Sequence, residues 1–159
     1  MNVPPAFKND DVESIRATIH AARLAHLVTA TADGPIATPL PLSLDENEGE
    51  HGVLYGHIAR ANPQWRLPPT EDGLAVFTGP EAYVTPSWYA TKQQTGKVVP
   101  TWNYVSAHAD GPVEFLQESE RLLEVVTRLT NKHEGSRANP WVREVARFIQ
   151  PAGAHSRRP

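Results

Sequence analysis

The run Gly56-His57-Ile58-Ala59-Arg60-Ala61-Asn62-Pro63-Gln64-Trp65 places a permissive glycine, an imidazole and a guanidinium next to a cap signal. Asn62 fits the cap of a short helix and Pro63 its first position. Free backbone N–H groups at a helix start, beside a guanidinium able to grip two oxygens at once, form an anion site, and a phosphate is expected here. Read alone, the same residues fit equally well a surface Arg60 and an ordinary half-buried His57.

A second segment is dense in flat rings. Pro86-Ser87-Trp88-Tyr89 leads into Gly96-Lys97-Val98-Val99-Pro100-Thr101-Trp102-Asn103-Tyr104, which mixes aromatic side chains with amide, hydroxyl and ammonium donors. Such a mixture can sandwich a tricyclic ring and fix its polar edge. Trp88 and Trp102 serve equally as core or dimer-interface anchors. Stacking of single-stranded nucleic acid fits less well, because few lysines or arginines surround these rings.

Other chemistries find little support. In Ala37-Thr38-Pro39-Leu40-Pro41-Leu42 the prolines cannot donate to a ladder, which marks an edge strand whose backbone is open to a ring's polar edge or simply to water. His20, His26, His51, His57, His108, His133 and His155 are scattered without a zinc-site spacing, so no metal is expected. Serine-hydrolase elbows, dinucleotide glycine fingerprints and phosphate-loop lysine motifs are absent from the sequence. So is cysteine, which removes disulfides, thiolate metal sites and thiol nucleophiles.

The elements that must position these groups are legible as patterns. Val12, Ile15 and Ile19 share a helical face after an Asp10–Glu13 capping-box variant, predicting a helix from about Asp11 to Ala22. Leu24–Ala32 and Ile36–Leu44 flank Asp33-Gly34-Pro35, a tight-hairpin signal, so they should pair antiparallel. Asp45–Gly52 reads as a solvated loop before a third strand, Val53–Ile58. Leu74–Thr78 and Glu81–Thr85 read as two further strands, and Asp110-Gly111-Pro112 predicts a second hairpin between Val98–Ala109 and Val113–Leu116. Leu122, Val125, Val126 and Leu129 stripe a helix over Glu118–Lys132, and Trp141, Val145, Phe148 and Ile149 suggest a shorter one afterwards. Strands gathered in the middle with helices outside point to an antiparallel barrel of the α+β class.

At 159 residues, 40% hydrophobic and 21% charged, the chain suits one domain with one core. The formal net charge of −3 gives no general basic excess for nucleic acid. Arg121–Arg137 and Arg157-Arg158 are modest basic runs, and no helix-turn-helix pattern is present. No segment approaches the roughly 20 apolar residues of a membrane helix, and the start lacks a leader pattern, so a soluble cytoplasmic protein without membrane association is expected.

Taken together, Val3-Pro4-Pro5-Ala6-Phe7, Gly56–Trp65, Gly79–Tyr89, Gly96–Tyr104 and Leu129-Thr130-Asn131-Lys132-His133-Glu134 resemble the PaiB-type FMN-binding negative transcriptional regulators, in order over roughly Met1 to Ile149. The resemblance implies an FMN-binding split barrel over residues 1–150, related to the pyridoxamine-phosphate-oxidase-like flavoproteins, with a tail at 151–159. It implies a homodimer with the flavin at its interface, and action on DNA directly or through another protein. It also places the FMN phosphate on Arg60, with His57 and Asn62 close by. Lys97, Thr101, Trp102 and Asn103 are the next candidates, from the same or the partner subunit, and no catalytic residue carries over. Two alternatives share the pocket: a flavin-dependent oxidoreductase or flavin reductase, and a haem variant using His57 or His108. Members of the family continue past the last helix into a glycine-lysine-tryptophan-lysine motif where this sequence has Gln150–Pro159. If that stretch completes the pocket or the dimer, cofactor binding is weaker without it.

Overall fold

The computed structural model describes residues 3–141. Helix α1 (Val12–Ala21) begins where the Asp11 carboxylate accepts the Ser14 N–H at 3.0 Å. The cap thus sits one residue later than the Asp10–Glu13 box expected, and Asp10 instead pairs with Lys8 on the surface at 2.7 Å. Ile19 is buried and Ile15 half-buried on the inner face, while Val12 stays exposed.

Strands β1 (Ala25–Thr31) and β2 (Gly34–Leu40) form the expected antiparallel hairpin, closed with Thr31 opposite Gly34. Gly34 has φ of 110°, a backbone angle that glycine alone adopts without strain. One strand was expected over Ile36–Leu44, but the chain breaks at Pro41 and starts β3 (Leu42–Asp45), which pairs with β4 (Val53–Gly56) in a second sheet. A proline offers no N–H to continue a ladder, so it is a natural point to change sheets.

The longest strand is β5 (Gly73–Val84), which unites the two expected segments across a register shift between Thr78 and Glu81. Gly79-Pro80 occupies that irregularity, as a residue without N–H requires. Helix α2 (Ala90–Thr95), which the sequence pattern missed, ends at Gly96 with φ of 66°. Strand β6 (Thr101–Gly111) then returns along β5. The hairpin expected at Asp110-Gly111-Pro112 is not formed: Asp110 and Gly111 pair with Leu74 and Gly73, and residues 113–116 form no strand. Helix α3 (Ser119–Glu134) follows. Of the shorter helix expected at Trp141–Ile149, all but Trp141 lies outside the described residues, as does the 151–159 tail.

The first sheet has the order β2-β1-β5-β6 and the second pairs β3 with β4, all antiparallel. The mixed helix and antiparallel-sheet class agrees with expectation, with two sheets around one core. Alternation along the strands sends Ala25, Leu40, Ala75, Phe77 and Ala107 inward, where they meet Ile19 of α1 and Leu42 of β3. Phe77 is 1% exposed at the centre, and its burial contributes about 1.5–3 kcal/mol. Helix α1 packs on β3, β5 and β6, and α3 on β3 and β4.

Candidate functional site

Strand β4 ends at Gly56 and releases the His57–Leu67 turn, which bonds to the β1–β2 hairpin of the first sheet. Its helix is a 3-10 turn of four residues, Pro63–Arg66. The donors expected at that helix start are largely absent or used: Pro63 has none, and the Gln64 N–H is bonded to Asn62 Oδ1 at 2.9 Å. Asn62 also donates from Nδ2 to Thr38 Oγ1 at 2.9 Å, so both ends of its side chain serve the fold. The Trp65 indole N–H donates back to the Arg60 carbonyl at 3.0 Å, and the Arg66 guanidinium lies over the Trp65 ring at 4.9 Å.

Below the turn, Gln64 is fully buried and donates from Nε2 to Leu27 O, Thr29 Oγ1 and Ile36 O at 3.2, 3.0 and 3.3 Å. The turn presents three exposed polar side chains, His57, Arg60 and Arg66. Among the described residues the Arg60 guanidinium enters no hydrogen bond or ion pair. Its donors, like those of Arg66 over the Trp65 ring, are available to an anion, and a phosphate matches a guanidinium in charge and in its two-pronged shape.

The second group of candidates lies on the far half of the β5–β6 pair, which outruns the sheet beyond the bulge. Tyr83 faces Trp102 and Glu81 faces Tyr104, while Ala82 and Val84 face Asn103 and Thr101. Successive strand residues point to opposite sides, so Trp102 projects from one face of this ribbon and Thr101 and Asn103 from the other. The Tyr83 and Trp102 rings are 5.9 Å apart and tilted by 51°, and the Trp102 indole donates to Glu81 at 3.3 Å. Trp102 is 55% exposed and Tyr104 65%, so in a single chain neither is a core residue. Lys97 is also exposed, just beyond α2. No hydrogen bond or ion pair joins the 57–67 turn to this ribbon among the described residues.

The two histidines considered for haem lie on different elements. His108 is exposed on β6, in a cross-strand row with Val76 and His26 on the sheet face opposite Phe77, whereas His57 belongs to the turn. Among the described residues no cluster of three or more His, Asp or Glu is placed to hold a metal.

A polar network missed by the sequence reading ties both long helices to β3. Glu46 accepts from His20 at 2.6 Å and pairs with Arg16 at 3.2 Å, and Asp45 accepts from Arg128 at 2.7 Å. The Asn47 N–H first, and then the Arg128 guanidinium, hold the Asp45 carboxyl below its ordinary pKa. The Tyr55 hydroxyl donates to Glu48 at 2.6 Å, which raises its pKa, and its ring carries Arg128 at 5.2 Å. Further along α3, Lys132 donates to the Leu42 carbonyl at 3.2 Å, and partial burial lowers its pKa. These groups satisfy one another, which marks a structural clasp.

Comparison with known proteins places the chain in a family. A family model described as "Putative FMN-binding domain" matches residues 1–151. Protease synthase and sporulation protein PAI 2 of Bacillus subtilis (strain 168) is 38% identical over 141 residues, 88% of this chain. Uncharacterized protein AN0679 of Emericella nidulans is 34% identical over 134 residues, 64% of this chain. The chain spans 65% and 53% of the lengths of these two relatives. In fold it is similar to the flavocytochrome Anf3 of Azotobacter vinelandii, with a TM-score of 0.62 at 17% identity over 96% of this chain and 63% of that one. Among the described residues no helix is long and apolar enough to cross a membrane. On the family match over nearly the whole chain and the identity to the Bacillus protein, this chain belongs to the PaiB-type FMN-binding family, with FMN as its cofactor.

Proposed function

We propose that the chain is an FMN-binding negative regulator of transcription that works as a cytoplasmic homodimer of split barrels. The flavin lies between the 57–67 turn of one protomer and the β5–β6 ribbon of its partner. When bound, FMN supplies one- and two-electron transfer chemistry. Arg60 grips the phosphate with His57 beside it, and Asn62 holds the turn in shape. Thr101 and Asn103 offer polar groups to the ring's edge from one ribbon face, with Lys97 nearby. Trp102 and Tyr83 pack against the partner from the other face.

One observation carries the reading. Apart from the half-buried Asn62, the residues expected to hold the flavin are exposed, and among the described residues no hydrogen bond or ion pair joins the turn group to the ribbon group, an arrangement a second copy would complete. Exposed aromatic side chains of this size are typical anchors of protein interfaces. The net charge of −3 is weak support for a broad DNA-binding face, so repression acts through a local contact with DNA or through another protein.

An absorbance spectrum and FMN titration of the purified chain, with its mass in solution, test the proposal. A flavin spectrum on a species of twice 17.5 kDa is expected. Arg60→Ala should weaken FMN binding by about 1.5–3 kcal/mol, the worth of a charge-assisted contact. An unchanged titration removes Arg60 from the site. Promoter-fragment binding or reporter repression that responds to FMN supports the regulator. NADH consumption above that of free flavin, without any effect on transcription, would make the protein an oxidoreductase instead.

A further inference from the structure

We infer that Gln64 is the positioning residue of the phosphate grip, and that through the turn it anchors it sets a preference for phosphorylated over unphosphorylated flavin. The inference rests on the reading of Arg60 as the phosphate group and goes beyond it. Gln64 lies beneath the turn and has no exposed surface. Its side chain cannot touch a ligand outside, so its influence must pass through the backbone.

The side chain is held with unusual strictness. Its Nε2 faces two main-chain carbonyls, Leu27 O on β1 and Ile36 O on β2, and the Thr29 hydroxyl between them. Rotating the amide by half a turn would aim its oxygen at both carbonyls, so one orientation is enforced. That orientation leaves Oε1 buried and without a hydrogen-bond partner. A methionine of similar length would avoid the unpaired acceptor. What the amide adds over an apolar filler is direction, fixing the turn to one register of the β1–β2 ladder.

Arg60 needs that fixation. The 3-10 turn has four residues, too few for a helical ladder of its own. At its end the Leu67 N–H donates to Gln64 O at 3.3 Å, and just before it the Asn62 N–H donates to Ala59 O at 2.8 Å. From Gln64 the path to Arg60 is short: the neighbouring Trp65 indole holds the Arg60 carbonyl, and Asn62, bonded to the Gln64 N–H, is tied to Thr38. A guanidinium on a pre-placed backbone loses less freedom on gripping a phosphate than one on a mobile loop.

The test compares FMN with riboflavin, which lacks only the phosphate, on the full chain. Wild type should prefer FMN by about 10- to 100-fold, the range of a charge-assisted contact. Gln64→Met should bring the two affinities together while riboflavin binding changes little, and adding Gln64→Met to Arg60→Ala should alter the ratio no further. A general loss of packing would lower the melting temperature and weaken both flavins alike. If Gln64→Met does not fold, Thr29→Val, which removes one of the three acceptors, should lower the ratio part of the way. An FMN preference that survives the folded variants overturns the role of Gln64 and leaves Arg60 in place. No preference in wild type overturns the phosphate reading, and this inference with it.

Discussion

Asp45 and Arg128 show how much a single residue pair can report about the whole fold. They join β3 to α3 across 83 positions of sequence, and the carboxylate is stabilised in the folded chain by the Asn47 N–H and the guanidinium. A carboxyl with a lowered folded pKa adds stability that is complete above its ordinary value of about 3.9 and is lost as pH falls through the lower folded value. Melts of wild type and Asp45→Asn should therefore differ at neutral pH and converge in acid, once the pH is below the lowered folded pKa of Asp45. A constant gap across the titration would assign the loss to something other than the charge. At this scale the Asn62 cap was legible, because a cap residue before proline carries a local signal. Gln64 was not. Beside Asn62 and Pro63 it reads as a surface residue, and its burial comes from strands at Leu27–Thr29 and Ile36, far away in sequence.

Among the elements, β4 has a close-packed exit. A methyl group on Gly56 would lie 2.5 Å from Leu42 Cδ2, 3.0 Å from Leu40 Cδ1 and 3.2 Å from the Pro41 carbonyl. Side-chain ends can move, but the carbonyl belongs to the crossing between sheets and has less room. Gly56→Ala should cost about 1–3 kcal/mol in chemical denaturation through overpacking at the foot of the Arg60 turn. A cost near zero would mean that the crossing at Pro41 yields readily. The elements also show where local signals fail. Asp33-Gly34 made its hairpin because nothing else competed for those residues. Asp110-Gly111 carried the same pair, but continued pairing with Leu74 and Gly73 extended β6 through it. Pro41 was legible as a poor ladder residue, yet no local rule said that the chain would change sheets there.

For the whole molecule, the ribbon beyond the bulge is the feature that a lone chain leaves exposed. Trp88 is 72% exposed and Val99 77%, in addition to the aromatic face on β5 and β6. If this surface anchors the dimer, Trp102→Ser should weaken self-association by at least ~2 kcal/mol, about 30-fold, with the circular dichroism of the folded chain retained. Unchanged mass across a dilution series would place the dimer contact elsewhere. The sequence showed the density of rings and a strand to carry them, but not that Trp102 would face Tyr83 across the ribbon, since that needs the partner strand and its register.

The strand order also dictates a sequence of events during synthesis. β1 can zip to β2 as soon as the hairpin leaves the ribosome, but its other edge waits for β5, with Ala25 pairing across to Phe77. Meanwhile Ala25–Val28 presents an open, largely apolar template to any other nascent chain, and long-range pairing of this kind is slow. The half-made sheet is thus the chain's moment of greatest exposure to misassembly, and a holdase that shields β1 would shorten the list of wrong partners without touching the finished protein.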